Sequence, residues 1–127
     1  LSFEGNTGPY LQYSYARASS IIKKAKSKNF NKPLKKIPSL TSFEIELIKK
    51  ISDFEEIVQK AGETMNPSLI ANYSFELSQT FNEFYHNCKV IGEKPEIEAF
   101  RLKLVDAFRT CLKNALYLLG IEVMDEM

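Results

Sequence analysis

Two phenols, a guanidinium and two ammonium groups recur at helical intervals near the start of this chain: Tyr10, Tyr13, Arg17, Lys24 and Lys28. At 100° per residue, with Tyr10 set at 0°, they fall at about 0°, 300°, 340°, 320° and 0°, inside one sector of about 60°. A face of that make-up suits single-stranded RNA. Unstacked bases lie against aromatic rings or a guanidinium plane, while lysines further along neutralise phosphates. Each stacked base is worth about 1–3 kcal/mol. The same periodicity is compatible with tyrosines half-buried in a helix packing and lysines that only keep the helix solvated.

Other chemistry finds no comparable arrangement. His86 stands beside Tyr85 with no Ser, Cys or acidic partner in view, and reads as a partly exposed structural histidine. Gly5-Asn6-Thr7-Gly8 lacks the Lys-Ser/Thr of a P-loop and the preceding strand that a phosphate-cradling loop needs. The carboxylates spread over solvent-facing positions instead of converging. Cys88 and Cys111 are too few and too far apart for a disulfide framework or a zinc site. Both fall on apolar helix faces and read as buried free thiols in a reducing compartment. No catalytic residue, metal ligand or cofactor is therefore expected within these residues.

Four helical segments position the candidate face. The first opens at Gly8-Pro9, where proline is tolerated at the first helical position, and runs to about Lys28. Its core stripe is Leu11, Ala18, Ile22 and Ala25, at about 60–120° on the same wheel. A loop with Asn29, Asn31, Pro33 and Pro38 follows. Thr41-Ser42-Phe43-Glu44 is a capping box. The helix it opens turns Leu47, Ile48, Ile51, Phe54 and Val58 inward and is expected to stop at Gly62. Asn66-Pro67 reads as an N-cap and first-turn proline, launching a third helix with Ile70, Tyr73, Leu77, Phe81, Phe84 and Cys88 on one stripe. Gly92 and Pro95 break that run. The fourth helix carries Ile97, Phe100, Leu104, Phe108, Cys111, Leu112, Ala115 and Leu119 inward, ending at Gly120. No stretch alternates with period two for long enough to propose a sheet. The expected fold is an all-α bundle of four main helices, one domain over residues 1–127.

The 127 residues, 44% hydrophobic with 15 aromatics (Phe 9, Tyr 6), suffice for one sizeable core and exclude disorder as the overall class. The apolar stretches are too short and too interrupted by charge to cross a membrane. The start, Leu1-Ser2-Phe3-Glu4, has neither an initiator Met nor a signal segment, as expected of a fragment of a longer protein. The totals of 17 basic and 16 acidic residues conceal a split. Residues 1–41 hold eight Lys/Arg against Glu4 alone, a net of +7, and residues 42–127 hold nine basic and fifteen acidic residues, a net of −6. A basic segment of this kind faces nucleic acid or an anionic surface, or else pairs with the acidic remainder of its own domain.

The opening Ser2-Phe3-Glu4-Gly5-Asn6-Thr7-Gly8-Pro9-Tyr10-Leu11-Gln12-Tyr13-Ser14-Tyr15-Ala16-Arg17 resembles a signature of arginyl-tRNA synthetases, roughly F-E-G-[DN]-T-G-P-Y-L-Q-Y-[AS]-H-[AS]-R. The far end agrees. Arg101 through Arg109, Leu118-Leu119-Gly120-Ile121 and the closing Met127 resemble the DALR-type anticodon-binding domain of that family, and Ala71-Asn72-Tyr73 through Phe81-Asn82-Glu83-Phe84-Tyr85 resemble its third helix. The resemblance implies that Tyr10, Tyr13 and Arg17 lie at the anticodon loop of tRNA(Arg), with Asn82 and Met127 near it; the wheel adds Lys24 and Lys28 to hold the backbone. The Asp106 to Arg109 segment carries the family's name motif, and its expected physical role is bundle packing and ion pairing instead of RNA contact. The resemblance also implies a cytoplasmic, monomeric parent ligase whose catalytic domain, in the same chain, joins arginine to tRNA(Arg) with ATP and Mg. These residues lack that domain's HIGH-type and KMSKS-type motifs, so the fragment alone is expected to be inactive. Tyr15, Phe108 and Met124 depart from the family's usual His, Leu and Pro. Two other readings remain: the anticodon domain of another class I synthetase, and a helical protein-interaction module with a basic face.

Overall fold

The computed structural model describes residues 7–25 and 33–124, and these form five helices and no strand. The opening helix, α1, spans Thr7–Lys24. Leu11, Ala18, Ile22 and Ala25 are buried as the wheel requires, and Ser14, Tyr15, Ser19 and Ile21 widen the buried sector. Tyr15 thus fills core space where the family signature has His.

The capping box at Thr41 opens α2, Ser42–Ser52, with the Thr41 hydroxyl accepting from the Glu44 amide at 3.3 Å and Glu44 Oε1 accepting from the Thr41 amide at 2.8 Å. The expected second helix is divided at Asp53, and its continuation, α3, covers Phe54–Glu63. The Ser52 hydroxyl donates to the Ile48 carbonyl at 2.8 Å, a back-bond of the kind that bends helices. The break is slight, since the Ile57 amide still reaches the Asp53 carbonyl at 3.1 Å. Beyond it Phe54 packs on Tyr73, ring centroids 5.9 Å apart.

Gly62 does not stop this helix. The Asn66 amide bonds the Ala61 carbonyl at 2.9 Å and the Met65 amide bonds the Gly62 carbonyl at 3.3 Å, a Schellman ending with Met65 at φ 51° in the position glycine usually takes. The next helix, α4, runs Ser68–Asn87 with Pro67, not Asn66, at its N-cap. The Asn66 side chain instead accepts a hydrogen bond from the Ser68 hydroxyl. The last helix, α5, spans Pro95–Leu118 and ends in the same Schellman bonds, Ile121 N–H to Leu116 O at 2.9 Å and Gly120 N–H to Tyr117 O at 3.0 Å, here with Gly120 at φ 78°.

Central α4 touches each of the other four helices, and α5 packs on α1, α2 and α4. Phe81 and Phe108 stack face to face across α4 and α5, centroids 4.0 Å apart and planes 2° from parallel. Leu11, Leu47, Leu77, Phe84, Leu102, Leu112 and Leu116 close around them with no exposure. Cys88 and Cys111 are both free and buried. Burial pushes the Cys111 thiol up, against a hydrogen-bonding contact with the Tyr73 hydroxyl at 3.4 Å.

One ion pair lies inside this core. Glu44, 1% exposed, accepts from Arg101 Nε at 3.1 Å, and Arg101 Nη1 donates to the Lys89 carbonyl at 2.7 Å. Burial alone would raise the Glu44 carboxyl. The Thr41 amide, the Arg101 guanidinium and the Thr41 hydroxyl outweigh it and hold the group below its ordinary value of 4.5.

Candidate nucleic-acid interface

Packing Leu11, Ala18 and Ile22 against α4 and α5 leaves the adjacent stripe of α1 beside α4, and that stripe carries Tyr10, Tyr13 and Arg17. Tyr13 is 54% exposed. Arg17 is half-buried, its guanidinium carbon 5.1 Å from the Tyr13 ring centroid and 4.5 Å from that of Tyr85 on α4, both within cation–π range. Tyr10 is half-buried too, and its ring tilts against Phe75, centroids 5.4 Å apart.

Asn82 ties these groups together. Its Oδ1 accepts from Arg17 Nη1 at 2.9 Å, while its Nδ2 donates to the Tyr10 hydroxyl oxygen at 2.7 Å and lies 3.4 Å from Ser14 Oγ. The guanidinium has donors only, so the amide oxygen must face it, and this fixes which end of Asn82 meets the phenol. One amide therefore sets the directions of a phenol and a guanidinium that stand on another helix.

The two readings left open for the tyrosines divide between them: Tyr13 stands out into solvent, whereas Tyr10 is a bundle residue with its hydroxyl directed at Asn82. Lys24 is exposed at the end of α1. Lys28 and Met127 lie outside the described residues. Glu122, after α5, meets α1 on a different side, because Gln12, at about 200° on the same wheel, donates from Nε2 to the Glu122 carbonyl at 3.1 Å.

Sequence reasoning missed the contribution of α4 beyond Asn82. Phe75 and Tyr85, 36% and 39% exposed, complete an aromatic surface around the Asn82 amide. A wheel of α4 would have found them: relative to Phe75, Asn82 lies about 20° and Tyr85 about 80° away on the same side. His86 contributes an edge-on ring contact to Tyr85, centroids 5.4 Å apart, and remains exposed.

Residues 11–127 match the DALR anticodon binding domain family. The chain belongs to that family. Among its relatives, the arginine–tRNA ligase of Pyrococcus abyssi is 46% identical over all of this chain, which spans 21% of that protein. The arginine–tRNA ligase of Streptococcus thermophilus is 42% identical, again over the whole chain and 22% of its own length. Of solved structures, the arginyl-tRNA synthetase of Thermus thermophilus superposes with a TM-score of 0.88 at 34% identity, covering 99% of this chain and 22% of that one. That of Plasmodium falciparum gives 0.83 at 36% identity, over 98% of this chain and 22% of the other. The DALR domain described here thus spans about a fifth of the length of the relatives it matches.

Within the DALR domain, the segment that resembles the family's name motif is engaged in the bundle. Arg109 pairs with Asp106 at 2.9 Å one turn away and lies 3.4 Å from Ser19 Oγ on α1. Among the described residues no helix is long and apolar enough to cross a membrane, and no three His, Cys, Asp or Glu side chains gather as metal ligands would.

Proposed function

We propose that this DALR domain selects tRNA(Arg) for an arginine–tRNA ligase, with Tyr13, Arg17 and Tyr10 gripping splayed anticodon bases. The observation that carries the reading is the Asn82 link, which orients the Tyr10 hydroxyl and the Arg17 guanidinium from a second helix before any ligand arrives. An amide spent in this way leaves Tyr13 as the open stacking platform and Arg17 as a flat cation beside it. Lys24 and Lys28 neutralise the backbone further along, and Met127 joins the same RNA contact. By the same reading, the activation of arginine with ATP and Mg, and its transfer to the tRNA, reside in a catalytic domain of a longer, cytoplasmic, monomeric protein. Neither ATP nor arginine binds within these residues.

A titration of tRNA(Arg) against the wild-type domain and the Tyr13→Ala variant tests the assignment. Loss of one stacked base weakens affinity by about 1–3 kcal/mol, and the melting temperature stays put because the ring is mostly exposed. Binding falls steeply with salt, as release of counterions from neutralised phosphates requires. An unchanged affinity in Tyr13→Ala, or equal binding to a poly-glutamate peptide, would remove the RNA reading in favour of an acidic protein partner.

A further inference from the structure

Between α3 and the end of α5 runs a groove of about 900 Å³. Ile51, Phe54 and Val58 form one wall, and Tyr117 and Leu118 form the other. The groove exists because α3 and α5 both pack on α4 while their own backbones stay apart. Phe54 reaches the smaller of the two core clusters, whose buried members are Ile70 and two alanines, Ala61 and Ala115. Side chains that short do not close the gap between the helices. The far wall stands open to solvent, with Tyr117 79% and Leu118 50% exposed. A contiguous apolar surface of this kind marks a place where something docks.

Nucleic acid does not suit it. No residue of the candidate RNA face borders the groove, and its lining holds no cation to neutralise a phosphate. Its one charge is Glu55, which has no ion pair among the described residues. A helix fits better, since Ile51, Phe54 and Val58 recur at the spacing of three and four that grips an amphipathic helix laid alongside. This chain spans 21% and 22% of the relatives it matches, so most of such a protein lies outside these residues. Resting on the ligase reading above, we propose that an amphipathic helix from the remainder of that longer polypeptide fills the groove. Its apolar face lies on Phe54, Val58, Tyr117 and Leu118, and a Lys or Arg at its edge meets Glu55. Tethering favours this occupant over a separate protein, because a segment of the same chain meets the groove at an effective concentration of about millimolar. The longer protein thus holds the domain by α3 and α5 and leaves α1 and α4 open to RNA.

The test uses the longer ligase, purified alone. Gln59 and Asn114, exposed on the two walls, are changed to cysteine one at a time. Lys60→Cys serves as control, about 170° round α3 from the middle of the lining residues. Labelling by a maleimide is read by mass spectrometry of the modified peptides, each rate taken relative to that in urea. Cys88 and Cys111 are buried and add no fast background. Gln59→Cys and Asn114→Cys react at least about ten-fold more slowly than Lys60→Cys, and dilution does not change this. Leu118→Arg, which sets a charge against the docked apolar face, restores the fast rate at Gln59→Cys. Leu118 is half exposed, so this variant keeps the fold. Equal rates at all three positions, or protection that survives Leu118→Arg, overturns the proposal while charging of tRNA(Arg) with arginine by the wild-type protein keeps the ligase reading. Protection that fades on dilution assigns the groove to a second copy and overturns it too. A longer protein that does not charge tRNA(Arg) removes both.

Discussion

At the scale of single residues, the design of the candidate face is one of pre-set direction. Arg17 has many rotamers to lose on binding, and Asn82 together with the rings of Tyr13 and Tyr85 removes most of them in advance. Asn82→Ala therefore costs affinity for tRNA(Arg) although Asn82 need not touch a base. We expect a loss of about 1 kcal/mol in stability from the broken hydrogen bonds, with the affinity loss surviving at temperatures where both proteins are fully folded. Calorimetric titration beside a thermal melt separates the two effects. That Tyr10, Tyr13 and Arg17 share one face was legible from helical spacing alone, because α1 is regular across them. What spacing could not supply was the depth of each. A wheel gives angles, and burial depends on how close α4 stands, so Tyr10 and Tyr13 share a sector yet differ in exposure. Tyr85 and Phe75 escaped because a second helix had to be placed before their sector acquired meaning.

At the scale of elements, two helix endings make an internal comparison. Both α3 and α5 finish in the same pair of backbone bonds, one with Met65 and the other with Gly120 in the left-handed conformation. A side chain there costs about 1–2 kcal/mol through the clash of Cβ with the following carbonyl, offset in part by the extra freedom glycine has when unfolded. Met65→Gly is expected to raise stability by about 0.5–1 kcal/mol and Gly120→Ala to lower it by about 1 kcal/mol, read by denaturant unfolding. The same contrast explains where helix limits were misjudged. Gly120 marks its ending as glycine should, whereas Gly62 falls inside α3 and the true stop sits at a methionine that carries no such signal. The division at Asp53 was equally hidden, since Ser52 bends the helix by a bond to Ile48 that no apolar periodicity reflects. The stripe on α4 was readable almost residue for residue, because a long helix against one core leaves little choice of face. On α5, packed on three helices, Leu102, Val105 and Leu116 are instead fully buried outside the expected stripe, and Ile97, Phe100 and Leu119 within it are only partly buried.

At the scale of the whole molecule, the buried Glu44–Arg101 pair joins the start of α2, the body of α5 and the segment after α4 through the Lys89 carbonyl. The Glu44 carboxyl is held below its ordinary value in the folded state, so the folded form binds its proton less tightly than the unfolded one. Its contribution is complete above the unfolded value, near 4.5, and is lost as pH falls through the lower folded one. Thermal melts from pH 7 to pH 3 are expected to fall most steeply below about pH 4.5, and Glu44→Gln, which leaves Arg101 only the more exposed Glu93 carboxylate at 3.7 Å, to cost up to about 3 kcal/mol at neutral pH. The two thiols give the fold its own clock. Cys88 and Cys111 sit in different parts of one core, each shut from solvent. An aromatic disulfide reagent can reach either only when the helices part. Should the bundle open as one cooperative unit, both sulfurs react at one shared rate that rises with urea. Two separate rates would instead reveal that the end of α4 breathes independently of the middle of α5.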